Sequence, residues 1–347
     1  MSAVAREAQR CLLILPRGFY SLTGVIESGL KNLGYETVIA NDEYPESFFG
    51  KVISKLGLPL SHAITRRVLL NQFLTGQRYD LIIVIKGRGL DARTAASLSL
   101  HGRTVVGYHF DSFRFDRGPA RWRDSIPRVS TFDYRDAEEH GLPVVELFAS
   151  MPPATPTRQR RYRVSAILRN HSQRLAYLDR VMTALGDSDA FIYIFEANWL
   201  TFTTNFLRHP LLYLKYRRFI SRKPLPYNQY VAAIADSEFT IDYAHPKQTG
   251  ITIRCFEALS AGTRIITNNP WVMKCTHFSD DNAIVFGRGI DTGTLRQQMR
   301  ALPGHPPPAY RRTVEDFLVD LIGPTPPSEG LAPSLDHPQP SPCLRAE

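Results

Sequence analysis

One run of the chain gathers side chains able to do chemistry. His245, Gln248, Thr249, Gly250, Arg254 and Glu257 all fall within residues 242–269, with Ile251 where a polar loop gives way to apolar periodicity. Residues 239–242 are apolar and strand-length, and 245–250 are polar and contain Pro246 and Gly250. Ile251, Cys255, Ala258 and Leu259 then recur on one face of a helix. Ala261 and Gly262 close that helix, and residues 263–267 read as another short strand. Strand, polar turn, helix and strand in this order make a βαβ unit. Its loop lies beyond the carboxyl end of a strand, where open α/β sheets hold ligands.

Two further sets of polar groups follow apolar strands. His109, Asp111 and Arg114 stand at the end of residues 104–109, and Asn170, His171 and Ser172 form a polar turn after 164–168. A carboxylate or imidazole in such a place can accept a proton from a substrate. The same types have structural uses: an Asp after a strand caps a helix, a His fills a core, and Asn or Ser serves as an N-cap. Arg254 reads equally as a ligand contact or as an ion-pair partner for Glu257, three positions on.

The elements that must position these groups can be read in order. Residues 11–15 form a strand, 22–33 a helix ending at Gly34, and 36–40 a strand, a Rossmann-like opening. It lacks G-x-G-x-x-G, and the chain has no G-x-x-x-x-G-K-[ST], which argues against a dinucleotide, S-adenosylmethionine or P-loop site. Helices are expected at 46–55 and 62–74. Residues 80–86 are a continuous apolar run, the pattern of a parallel strand covered on both faces. A helix at 92–100 capped by Asp91, strands at 104–109, 129–133 and 144–148, and a helix near 136–140 complete a six-stranded unit.

Residues 150–162 read as a Pro-rich linker, after which the alternation restarts. Strands are expected at 164–168, 191–195, 239–242, 263–267 and 283–286, with helices at 174–185, 227–235, from 251 and at 291–302. The expected class is therefore α/β, with two tandem Rossmann-like domains, 1–149 and 163–302, facing across a cleft. Clefts of this kind are favoured by small ligands. Residues 303–322 hold a helix, at 313–322, that returns across the cleft. Residues 323–347 read as a disordered tail, since eleven of the 25 prolines lie between Pro303 and Pro342.

Composition narrows the setting. The 347 residues are 43% hydrophobic, enough for two ordinary cores, and no apolar run approaches the roughly 20 residues of a membrane span. Residues 1–10 lack a secretory pattern. Four scattered cysteines without C-x-x-C give no disulfide framework. Cys275 and His277 alone supply too few ligands for zinc, so a metal-free protein of the cytoplasm is expected. The net charge of +9 is concentrated: residues 197–235 contain no acid but carry Arg208, Lys215, Arg217, Arg218, Arg222 and Lys223. These interleave with Leu211, Leu212, Leu214, Tyr216, Phe219 and Ile220. Residues 208–223 thus read as a peripheral contact with an anionic membrane, or as a solvated face over core packing. No nucleic-acid motif accompanies the charge, and no nucleic-acid partner is expected.

The run His245-Pro-Lys-Gln-Thr-Gly-Ile-Thr-Ile-Arg254, with Glu257, Gly262 and Ile265-Ile-Thr-Asn268, resembles the motif HPxQTGLTMRxxExLGxxKKLITTN. That motif belongs to a glycosyltransferase-like family of bacterial capsule and lipopolysaccharide biosynthesis proteins. Tyr108-His-Phe-Asp111, Phe132-Asp-Tyr-Arg-Asp-Ala137 and Leu225-Pro-Tyr227 are similar to further elements of the family, so that the resemblance covers residues 80–290. It implies the GT-B arrangement of tandem Rossmann domains and transfer of a sugar from a nucleotide-sugar donor to a saccharide or lipid-linked acceptor. The nucleotide-sugar is a substrate, and no cofactor is implied.

By this resemblance the N–H groups of Thr249, Gly250 and Ile251 would meet the diphosphate, Gly250 allowing close approach. Glu257 would accept the ribose hydroxyls. His245, Gln248 and Arg254 would assist in the donor loop, and Asn170, His171 and Ser172 would make a second phosphate contact. Many retaining members carry a glutamate eight positions before the one matched by Glu257; here Thr249 stands there. Inversion is then favoured, with a base from the first domain, Asp111 or, in reserve, His109. Asp187-Ser-Asp189 looks like a metal-binding D-x-D, but falls at the amino end of a strand, on the wrong sheet edge. The rival readings are a sugar-nucleotide epimerase of the same build and a non-catalytic nucleotide-sugar-binding protein.

Overall fold

The computed structural model describes residues 8–46, 59–150, 160–186 and 189–323. All but the first residue of the helix expected at 46–55, most of the linker, Asp187 and Ser188 of the D-x-D motif and the tail from 324 lie outside the described residues.

The N-terminal half begins with β1 (Gln9–Leu15), α1 (Tyr20–Asn32), β2 (Tyr35–Asn41), α2 (Pro59–Leu69) and β3 (Tyr79–Ile85). It continues through α3 (Ala92–Leu98), β4 (Gly102–His109), β5 (Arg128–Thr131) and α4 (Tyr134–His140). The strands pair in parallel in the order β2-β1-β3-β4-β5. β1 and β3 lie inside the sheet and are buried on both faces, as their unbroken apolar runs require.

The sixth strand expected at 144–148 does not form. Val144 makes a single bridge to Thr131. The backbone beyond it pairs with the C-terminal segment instead: Arg312 Nε donates to the carbonyls of Glu146 and Leu147, and Ala149 N–H donates to Arg312 O.

The C-terminal half repeats the alternation with β6 (Tyr162–Arg169), α5 (Arg174–Leu185), β7 (Ala190–Phe195), α6 (Trp199–Arg208), α7 (Pro210–Tyr216) and β8 (Ile220–Ser221). Then follow α8 (Tyr227–Ala235), β9 (Ser237–Asp242), α9 (Ile253–Ser260), β10 (Arg264–Thr267), β11 (Ala283–Val285) and α10 (Thr292–Ala301). This sheet is also parallel, in the order β11-β10-β9-β6-β7-β8.

The last helix, α11 (Val314–Ile322), starts at a capping box of Thr313 and Asp316 and packs on α1. The approach is close enough that a Cβ on Gly29 would lie 2.8 Å from Val314 Cγ1. One apolar core joins both halves, running from Leu13, Ile83 and Tyr108 through Phe132 and Phe148 to Ile251, Phe256 and Phe317. At roughly 1.5–3 kcal/mol per buried large side chain, this shared core holds the carboxyl edges of the two sheets against each other.

Candidate functional site

The loop after β9 is clasped by the turn after β5. Asp133 is the N-cap of α4, receiving the N–H groups of Arg135 and Asp136 at 3.1 Å. The same carboxylate accepts Thr249 N–H at 2.5 Å, Thr249 Oγ1 at 2.6 Å and Gly250 N–H at 3.2 Å. Phe132 packs directly against Gly250, where an added Cβ would fall 2.2 Å from its ring. Thr249 and Gly250 are thus committed within the protein, which corrects the reading of their N–H groups as diphosphate donors. Gly250 is needed for the aromatic ring above it. Ile251 is buried in the shared core.

The cations of this region gather at the carboxyl ends of β6 and β9. Arg174, the first residue of α5, reaches Tyr243 O at only 3.5 Å, and Arg254 reaches Ile241 O at 3.5 Å and Asp242 Oδ1 at 3.9 Å. The Nε atoms of both are buried and have no hydrogen-bond partner. Burial, and then the Arg254 charge, pulls the Arg174 guanidinium down to about 10. Desolvation, followed by the charges of Arg174, Arg169 and His245, pushes the His171 imidazole down as well. His245 is lowered by burial, Lys247 and Arg174. The two guanidiniums lie near Asp242, whose oxygens already accept Thr252 Oγ1 and Thr267 Oγ1, with Glu257 also acting on Arg254 and the His171 and His245 imidazoles near Arg174. Two guanidiniums with unpartnered buried Nε groups suit an anion with several oxygens.

Other expected contacts are placed differently. Glu257 is buried, with its oxygens accepting Ser150 Oγ at 2.6 Å and the Tyr230 hydroxyl. Burial raises its carboxyl above the ordinary value, against the hydrogen bonds of Ser150 and Tyr230. Ser150 also lies 2.8 Å from the hydroxyl of Tyr227, a half-exposed ring stacked with Tyr230. Asn170 donates its amide to Glu196 at 2.6 Å and to the Tyr213 hydroxyl, tying the ends of β6 and β7 to α7. That commitment removes its side chain from the set of phosphate contacts; His171 and Ser172 remain exposed. Ser172 takes φ +60, a strained value for a residue with a side chain.

In the N-terminal half, Asp111 stands just past β4 and faces the loop. It pairs with Lys86 at 2.5 Å and accepts Gln248 Nε2 at 2.8 Å. Lys86 holds φ +65 at the end of β3, and its ammonium lies over the rings of Phe19 and Phe110. His109 is different. Side chains alternate along a strand, so Tyr108 enters the core shared with the C-terminal half while His109 enters the opposite face. There it is fully buried, edge-on to Phe113 and Trp122, with no partner for either nitrogen. This corrects its assignment as a reserve base, because no substrate hydroxyl can reach it.

No family model matches the chain, and no curated protein does. Solved structures do. Staphylococcus aureus MnaA with UDP aligns over 93% of this chain and 100% of its own, at 9% identity and a TM-score of 0.52. A glycosyltransferase from Rickettsia africae aligns over 85% and 88%, at 12% identity and a TM-score of 0.51. Anabaena HepE with UDP-glucose aligns over 90% and 95%, at 10% identity and a TM-score of 0.50. This chain has the GT-B fold.

Within this GT-B chain, sequence reasoning missed Arg174, Lys86, Asp133 and Glu196. Arg174 carried a signal, since a cation in the first turn of a helix opposes the helix dipole and needs another reason to be there. Asp133 stood in a quoted motif, but its partners lie 116 and 117 positions away. A cavity of about 800 Å³ opens beside the same loop, between Tyr243, Pro246, Asn268 and Arg288.

Proposed function

We propose that this protein is a glycosyltransferase of bacterial surface-polysaccharide assembly. It moves a sugar from a nucleotide-sugar donor to a hydroxyl of a saccharide or lipid-linked acceptor. The observation that carries the reading is the crowding of Arg174, Arg254, His171 and His245 at the carboxyl ends of β6 and β9. Those groups suit a nucleoside diphosphate as ligand and, after transfer, as leaving group. Fold neighbours that hold UDP and UDP-glucose support a donor of this class. A ribose hydroxyl would take the place of Ser150 as donor to the buried Glu257, and the Tyr227 ring beside it offers a face for the base.

In the inverting mechanism that we favour, the acceptor oxygen bonds to the anomeric carbon as its proton passes to Asp111. The bond to the diphosphate oxygen breaks, and its electron pair leaves with the nucleotide. Lys86 and Gln248 fix Asp111 at the face of the loop. Helices α6 and α7 provide a peripheral contact with an anionic membrane on its cytoplasmic side, where a lipid-linked acceptor would lie. Among the described residues no helix is long and apolar enough to cross a membrane.

The test is release of nucleotide from a panel of nucleotide-sugars, with and without acceptor. Acceptor-dependent release that disappears in Arg174→Ala supports transfer. A donor altered at the sugar without any acceptor makes the protein an epimerase, and binding without turnover makes it a carrier.

A further inference from the structure

The sequence brings Cys275 and His277 together but leaves them two ligands short of a zinc site. The fold adds Glu146, from the segment leaving the N-terminal half. One ligand atom from each of Glu146, Cys275 and His277 lies within 4.8 Å of the other two, and His277 Nε2 is 3.9 Å from Glu146 Oε2. A four-coordinate zinc with bonds of 2.0–2.3 Å sets its ligand atoms roughly 3.3–3.8 Å apart. A side-chain adjustment of under about 1 Å would close the triad around such an ion.

The surroundings are arranged for ligation. Cys275 is buried, while the side chains of Glu146 and His277 are about four-fifths covered. The Tyr134 hydroxyl donates to Glu146 Oε1 at 2.7 Å, which leaves Oε2 toward the imidazole. Outer hydrogen bonds of this kind orient metal ligands. Tyr310 stacks on His277 with ring centres 4.2 Å apart, and its hydroxyl stands 3.3 Å from Nε2.

We propose that Glu146, Cys275 and His277 bind one zinc ion, with solvent at the fourth position, and that the ion clamps the segment leaving the N-terminal half to the turn after β10. A thiolate, an imidazole and a carboxylate are the donors zinc takes. The Cys275 proton passes to solvent as the Zn–S bond forms. The site shares no residue with the cation cluster, so it can fail while the transferase reading stands, and the reverse.

The experiment uses tag-free, full-length protein stripped with a chelator. Zinc is then added back and counted by mass spectrometry after desalting, and cobalt(II) is added to a second portion. One equivalent of retained zinc, a thiolate-to-cobalt charge-transfer band, and loss of both in Cys275→Ser and in His277→Gln are expected. Tyr134→Phe should weaken zinc binding about tenfold, as expected for loss of an outer-shell partner. Tyr310→Phe, which removes only a competitor for Nε2, should bind at least as well as the parent. Circular dichroism of each metal-free variant separates lost ligation from lost folding. Absence of stoichiometric zinc in the parent, or a cobalt band that survives in Cys275→Ser, overturns the proposal.

Discussion

Asp133 accepts the backbone N–H of Thr249 at 2.5 Å, and through this contact the turn after β5 holds the loop after β9. One buried carboxylate caps α4 and also satisfies Thr249 N–H, Thr249 Oγ1 and Gly250 N–H. The protein thus supplies its own anion where an anionic ligand was expected. The proposed diphosphate contact is therefore assigned to the guanidiniums of Arg174 and Arg254 and not to these N–H groups. The loop becomes a fixed shelf beside them.

Asp133→Ala should therefore be strongly destabilising. It leaves two buried N–H groups and a hydroxyl without an acceptor, at about 1–3 kcal/mol each, and removes a helix cap. A loss of about 3–5 kcal/mol in the urea unfolding free energy is expected. Asp133→Asn, which keeps one acceptor oxygen, should lose less. A loss below about 1 kcal/mol in the alanine variant would mean that the clasp is not what holds the loop.

His109 gives a prediction with a definite sign. Burial, and then the charges of Arg123 and His140, push its imidazole down from 6.5 to about 3. The folded protein keeps the ring neutral, so protonation favours the unfolded chain. Its contribution to stability is whole above pH 6.5 and is lost as the pH falls toward 3. His109→Leu, of similar volume, should flatten the acid limb of stability between those values and leave turnover unchanged. Loss of turnover with the fold intact would return His109 to the list of catalytic groups.

The contrast between His109 and Asp111 shows how far the sequence could be read. Alternating strands and helices, and loops at the strand ends, follow from periodicity that each segment carries within itself. The absent strand at 144–148 had the same periodicity, yet its backbone partners come from Arg312, which no local pattern reveals. His109 and Asp111 stand two positions apart, and what separates a core ring from a loop-facing carboxylate is that β4 ends at His109 while Asp111 belongs to the turn beyond it. Asp133 and Arg174 were illegible for a related reason. Their roles are set by partners that a single pass along the chain does not bring together.

Arg174 and Arg254 can be tested with UDP as the probe. Charge-assisted hydrogen bonds contribute about 1.5–3 kcal/mol, so Arg174→Ala or Arg254→Ala should weaken UDP binding roughly 10- to 150-fold in calorimetry. Uridine, which has no phosphate, should bind the parent and both variants alike. Equal weakening of uridine and UDP would show that the arginines shape the pocket and do not hold the diphosphate.

The membrane reading rests on where α6 and α7 point their apolar side chains. Phe202, Phe206 and Tyr213 turn inward, while Leu200, Leu207 and Leu211 are 76%, 71% and 80% exposed. Leu214 and Trp199 are exposed beside them, and Arg222 lies over the Trp199 ring. Arg208, Arg217 and Arg218 are exposed on the same acid-free segment, where Asp179 of α5 pairs with Lys215. A solvated face would have no need of so many uncovered leucines, whereas a bilayer interface repays them at about 1.5–3 kcal/mol per side chain transferred. Nearby cations add about 1 kcal/mol each with anionic lipid, a contribution that salt screens. The protein should co-sediment with vesicles containing phosphatidylglycerol, bind phosphatidylcholine vesicles weakly, and lose much of the difference at high salt. A double change, Leu207→Glu with Leu211→Glu, should reduce anionic-vesicle partitioning at least about 100-fold while UDP affinity stays constant. Equal partitioning of parent and double variant would assign these leucines to another partner and leave the cation cluster unaffected.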